Sequence, residues 1–204
     1  NPLRYKFSWS PRVAIINTQS AARYLSKGQI VEISGGGDLM STTKELDFLP
    51  GFALEGFPNR DSMQYLQLYG LGPTMHTFVR GTIRYKGFTE CIKTMQLLGL
   101  IDTEPHPMLH ASGPDTTWRQ LIINLLGLVD EDIFYENLKM KLADRVGNPD
   151  FMEELGLLKQ NLVVRQGTPL DTLIYYLQHK LVSTFASSHA ARLFNRTLLG
   201  LRET

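Results

Sequence analysis

The residues best able to do chemistry fall within the first ninety positions. Arg60 sits in the run Phe57-Pro58-Asn59-Arg60-Asp61-Ser62, after an alternating stretch and just before an aspartate that can cap a helix. A guanidinium placed there can offer a two-pronged fork to a carboxylate, with helix N-terminal amides beside it. It can equally pair with a neighbouring aspartate at the surface, an arrangement of little energetic consequence. Gly81, Thr82 and Ile83 lie inside the strand-like run Val79-Arg80-Gly81-Thr82-Ile83-Arg84-Tyr85. Glycine in mid-strand often marks the close approach of a ligand or of another backbone, and Thr82 with its exposed amide would supply donors. A bulge without any ligand fits the same residues. Ser8, Trp9 and Ser10 offer an aromatic wall and two hydroxyls at a strand-to-helix turn, or an N-cap serine beside a buried tryptophan.

Other combinations carry less. Gly35-Gly36-Gly37 does not match G-x-G-x-x-G, no helix start follows at the required place, and no Walker lysine motif exists. The run therefore reads as a structural turn, and a nucleotide-binding half is expected to be absent from this chain. His106 and His110 are four apart, but Pro105 and Pro107 disfavour the helix that would align them and no third ligand stands nearby, so no metal site is expected. Cys91, between Glu90 and Ile92 in a helix-like run, reads as a buried inert thiol.

These side chains need elements to hold them. Leu3, Tyr5, Phe7 and Trp9 alternate with polar residues at the two-residue period of a strand. Ser10-Pro11 is a helix start, and the helix is expected to carry Val13, Ile16 and Tyr24 inward as far as Gly28. Strands are expected over 29–34, around Phe52 to Gly56 and over 76–85, with helices over 62–69 and 89–98, the second ending at Gly99. Strands alternating with helices point to a layered α/β arrangement. Beyond residue 102 the character changes: prolines 105, 107 and 114 mark a linker, and helices are expected from Thr116 or Thr117 to Gly127, over 131–146, over 149–157 and from Thr168-Pro169 through Leu181.

Length and charge bound the rest. The 204 residues suit one domain with a small appendage, and 21 basic residues against 20 acidic ones give no electrostatic case for nucleic acid. A single cysteine excludes an internal disulfide framework. The longest apolar run, 121–129, is too short to cross a bilayer, so no membrane partner is expected. The chain opens on Asn1, which suggests a fragment boundary.

Four segments occur in an order that resembles the saccharopine dehydrogenases: Tyr5-Lys6-Phe7-Ser8-Trp9-Ser10-Pro11, Phe48-Leu49-Pro50-Gly51-Phe52, Leu54 to Ser62, and Arg80-Gly81-Thr82-Ile83-Arg84-Tyr85-Lys86-Gly87-Phe88. Thr117-Trp118-Arg119-Gln120-Leu121 and Gln178-His179-Lys180-Leu181 also fit, and the likeness is strongest to the C-terminal half of the bifunctional animal enzymes. The resemblance implies an α/β (α+β) fold, a mixed β-sheet with flanking helices plus a small all-α insertion, with the Rossmann cofactor domain outside this chain. It divides the chain into a substrate-binding domain over 1–102, a helical insertion over 103–165, a returning helix over 166–181 and a divergent tail over 182–204. It implies NAD(P)-dependent oxidation of saccharopine to glutamate and aminoadipate semialdehyde, in lysine metabolism. Arg60, Gly81, Thr82 and Ile83 would bind substrate, and Ser8, Trp9 and Ser10 would lie by the cofactor, NAD or NADP. It also implies a mitochondrial location, with a cytoplasmic one as alternative, and partnership with the missing Rossmann domain. Two other classes stay open: an assembly module that forms a homodimer and keeps a vestigial pocket, and a regulatory domain for dicarboxylic amino acids.

Overall fold

The computed structural model describes residues 3–5, 7, 10–72, 74–128, 137–138, 140 and 150–183. Helix α1 (Pro11–Ile16) starts as expected, with proline in its first turn and the Ser10 hydroxyl accepting from the Val13 amide at 3.5 Å. It then stops early. A 3-10 turn over Asn17–Gln19 leads into β1 (Ala22–Ser26) and β2 (Gln29–Ile33), an antiparallel hairpin where a continuing helix was expected. Lys27 and Gly28 both adopt positive φ, 50° and 78°, the conformation of a type I′ turn that matches strand twist. Val13, expected inside, is 39% exposed, and the buried residues of α1 are Ala14 and Ile15. No strand forms among the described residues of 3–9, although Leu3 is fully buried.

The second sheet runs β3 (Lys44–Leu46), β4 (Leu54–Pro58) and β5 (Gly81–Tyr85), all antiparallel, in that order. Residues 76–80, expected to extend β5, instead bridge Phe78 to Leu25 of β1. An isolated parallel bridge pairs Arg23 of β1 with Asp61, beyond the end of β4. Apart from it, the described strands form two separate antiparallel sheets where one mixed sheet was expected, because each is built from hairpin-like neighbours. Between β4 and β5 lies α2 (Gln64–Leu68), entered through Asp61, whose carboxylate accepts from the Met63 amide at 2.8 Å.

Register fixes which side chains share a face. Phe57 opposes Thr82 and Glu55 opposes Arg84 on the inner face, while Gly56 opposes Ile83 and Leu54 opposes Tyr85 on the outer face. The inner face packs on α3 (Phe88–Leu97), whose Phe88 ring stacks on Phe57 at 6.4 Å. Gly87, in N-cap position, has no side chain to cap α3. Glu55 does so from across the sheet, accepting from the Thr89 amide at 2.7 Å and the Gly87 amide at 3.3 Å. Gly99 follows at φ 71° and closes the helix.

In the second half, α4 (Trp118–Leu125), α5 (Asp150–Leu155) and α6 (Pro169–Ser183) form at or near the expected places. Only Asn137, Leu138 and Met140 of the helix expected over 131–146 are described, and they are helical; the rest of that stretch, and the tail from 184 onward, lie outside the described residues. Phe88, Ile92, Met95, Trp118, Leu121 and Leu173 belong to one buried cluster, so both halves share a core. Each such side chain contributes about 1.5–3 kcal/mol by burial. Helix α6 returns against α1 through Arg12, whose guanidinium meets Asp171 at 2.7 Å.

Candidate functional site

The two segments that hold the predicted substrate-binding residues are laced together at one end of the β4–β5 ladder. Pro58 pairs with Gly81, the Asn59 amide donates to the Arg80 carbonyl at 2.8 Å, and the Ser62 hydroxyl accepts from the Arg80 amide at 3.0 Å. Ser62 is fully buried, so its hydroxyl is committed to this lacing. The neighbouring β1 completes the arrangement: the Arg23 amide donates to the Arg60 carbonyl at 3.0 Å, and the Ser62 amide to the Arg23 carbonyl at 2.8 Å.

Arg60 is held in the left-handed region at φ 52°, which a non-glycine residue adopts at a cost of about 1–2 kcal/mol. Its side chain is exposed, and Nη2 donates to Asn17 Oδ1 at 2.6 Å. The adjacent aspartate is otherwise engaged: Asp61 caps Met63 and lies 4.0 Å from Arg23. Among the described residues no carboxylate forms an ion pair with Arg60. The fork keeps donor capacity for an incoming carboxylate.

Gly81 is exposed and has no positive φ, and a Cβ there would come no closer than 3.4 Å to the Phe57 carbonyl, ordinary contact. Nothing within the described chain requires glycine at this position. Thr82 is half-buried on the inner face, and Ile83, 48% exposed, points to the outer one. The structure thus brings Arg60, Gly81 and Thr82 to the same end of the sheet and directs the Ile83 side chain away from Thr82. Ser10 caps α1; Ser8 and Trp9 lie outside the described residues. Asn17, Ser62 and Arg84 were not singled out from sequence. For Arg84 a signal existed, since it stands two residues after Thr82 and so shares its face.

A cavity of about 650 Å³ opens elsewhere, lined among others by Arg4, Glu45, Glu55, Lys86, Glu90 and Lys93, and contains none of the predicted site residues. Three of these charged side chains are engaged within the protein. Lys86 meets Glu45 at 2.5 Å, which raises the lysine's pKa, and Glu55 is occupied in capping α3. Cys91 also borders it, and burial pushes that thiol up to about 12, the opposite of an activated nucleophile. The triple-glycine run is a turn: Gln96 Nε2 donates to the Gly36 carbonyl at 2.8 Å and occupies the space a Cβ on Gly37 would need. His106 and His110 serve separate turns, and no group of three potential metal ligands occurs among the described residues. Among the described residues no helix is long and apolar enough to cross a membrane.

An α/β domain with a strained arginine and a glycine-threonine strand at one sheet end is the class this architecture defines. The family model for the saccharopine dehydrogenase C-terminal domain matches residues 1–190, and the chain belongs to that family. It is 38% identical over 184 residues to the mitochondrial alpha-aminoadipic semialdehyde synthase of Bos taurus, covering 89% of this chain and 20% of that protein. It is 33% identical over 187 residues to the saccharopine dehydrogenase [NADP(+), L-glutamate-forming] of Schizosaccharomyces pombe, covering 87% and 41%. The structure of apo saccharopine dehydrogenase (L-Glu forming) from Saccharomyces cerevisiae superposes with a TM-score of 0.75 at 30% identity, over 88% of this chain and 41% of that one. The chain thus spans about a fifth to two-fifths of the length of these relatives.

Proposed function

We propose that this chain is the substrate-binding part of a saccharopine dehydrogenase, an NAD(P)-dependent oxidoreductase of lysine metabolism. Residues 1–102 form the substrate domain, built on two small antiparallel sheets, 103–165 a helical insertion, 166–181 the helix that returns to it, and 182–204 a divergent tail. Saccharopine carries three carboxylates, and its recognition needs guanidinium forks and backbone donors more than a buried acid or base. Arg60 takes one carboxylate, Gly81 lets the substrate approach the strand, Thr82 offers its hydroxyl from the inner face, and Ile83 takes part through its backbone, its side chain lying on the opposite face. By likeness to the family, Ser8, Trp9 and Ser10 are assigned to the cofactor. The dinucleotide is held mainly by a Rossmann domain outside this chain, and it supplies hydride acceptance when bound; this chain holds the reacting carbon in place. By likeness to the animal relatives, the setting is mitochondrial.

The observation that carries the reading is Arg60, fixed at a sheet end beside Gly81 and Thr82 with no carboxylate partner among the described residues. Calorimetric titration of the 204-residue chain with saccharopine tests it. The wild-type chain is expected to bind, and Arg60→Ala to bind roughly 10- to 100-fold more weakly, the loss of a charged hydrogen bond. Equal affinity in the variant, or no saccharopine binding in the wild type, overturns the reading. Titration with NAD or NADP is expected to give no binding, and micromolar affinity would contradict the division between domains.

A second reading, an assembly module with a vestigial pocket, draws on the outer sheet face, where Ile83 and Tyr85 are 48% and 54% exposed. In that case the chain is a homodimer whose self-association persists while Arg60→Ala changes nothing.

A further inference from the structure

Arg84 lies directly across β4 from Glu55, the pairing in which an arginine and a glutamate ordinarily meet. They do not meet here. Glu55 turns to the Gly87 and Thr89 amides, and Arg84 turns to two aromatic rings, its guanidinium 4.2 Å from the centroid of Tyr5 and 5.3 Å from that of Phe88. Nη1 donates to the carbonyl of the adjacent Ile83 at 2.8 Å, while Nε is buried with no hydrogen-bond partner. No carboxylate among the described residues forms an ion pair with it. A half-buried cation with no anion is costly, and contact with ring faces offsets only part of that cost. Burial accordingly lowers the guanidinium's pKa from its usual value, against an opposing influence of Tyr5.

The position of this cation gives it a role. Arg84 shares the inner face with Thr82 and is three residues, about 10 Å of strand, from Gly81. Arg84 is contacted by Tyr5, before α1, and Arg60 by Asn17, at the end of α1. Thr82 stands between Arg84 and Gly81, at the end of the ladder that holds Arg60. We propose that Arg84 is a second carboxylate-binding residue of the site, taking a different carboxylate of the same multiply acidic ligand from the one held by Arg60. The inference rests on the reading of the chain as a saccharopine-binding domain. Tyr5 and Phe88 form the apolar seat that keeps the guanidinium flat and poorly hydrated until the ligand's anion arrives, which strengthens the bond then made.

The test is calorimetric titration of the full chain with saccharopine for wild type, Arg60→Ala, Arg84→Gln and Arg84→Lys, with thermal midpoints measured alongside. Arg84→Gln is expected to weaken binding at least tenfold and to flatten its salt dependence, while the midpoint of the unliganded protein stays unchanged or rises, because an unpaired cation has been removed. Arg84→Lys should regain part of the affinity by restoring the charge without the fork. If Arg60→Ala weakens binding and Arg84→Gln does not, this inference falls and the proposed function stands. If Arg84→Gln lowers the midpoint and Arg84→Lys restores midpoint and affinity together, the arginine is structural and the inference is again overturned. If the wild-type chain does not bind saccharopine, the proposed function fails and the inference with it.

Discussion

At the scale of single residues, Arg60 combines two properties that a substitution can separate. Its backbone is held at φ 52° by the bond from the Arg23 amide, and its side chain reaches Asn17. Arg60→Ala keeps the unfavourable left-handed conformation and removes the guanidinium; Arg60→Gly removes both. Arg60→Gly is therefore expected to be more stable than Arg60→Ala by about 1 kcal/mol in urea unfolding, with saccharopine affinity equally reduced in both. Equal stabilities would mean that the backbone at residue 60 relaxes in solution. Gly81 is the converse case, a glycine that the described chain's own geometry does not require.

At the scale of elements, the features legible in the sequence were those decided within four residues. Ser10-Pro11 opens α1, Gly99 closes α3, and Thr117 opens α4 with a capping box: its hydroxyl accepts from the Gln120 amide at 3.2 Å and the Gln120 side chain accepts from the Thr117 amide at 3.0 Å. Thr117→Ala is expected to lower unfolding free energy by about 1 kcal/mol, read from a shifted denaturant midpoint with unchanged slope. The β1–β2 hairpin was not legible because Lys27, rather than asparagine or aspartate, occupies the first left-handed turn position, so the usual turn signature is missing. The three-residue β3 is too short to show alternation and exists because β4 offers it an edge. Arg60 and Gly81 could each be singled out from their neighbours, yet their adjacency depends on the register of β4 against β5, and periodicity does not carry register across twenty residues. The pairing of Glu55 with helix amides instead of Arg84 is non-local in the same way.

At the scale of the whole molecule, one core connects the sheet, α3 and the returning α6, so the first half of the chain is held by residues more than a hundred positions away, as the contact between Arg12 and Asp171 illustrates. The sole cysteine sits inside that core, 4% exposed. With its thiol raised from 9.0 to about 12 in the folded state, the native form retains a proton that the unfolded chain releases earlier. Its stabilising contribution is complete below pH 9 and disappears as pH climbs toward about 12. Cys91 is thus a built-in clock for breathing of the interior. At pH 8, an alkylating reagent should modify it only during openings that expose α3, at a rate far below that of the denatured chain, and bound saccharopine should slow the clock further if the ligand braces the sheet on which α3 rests.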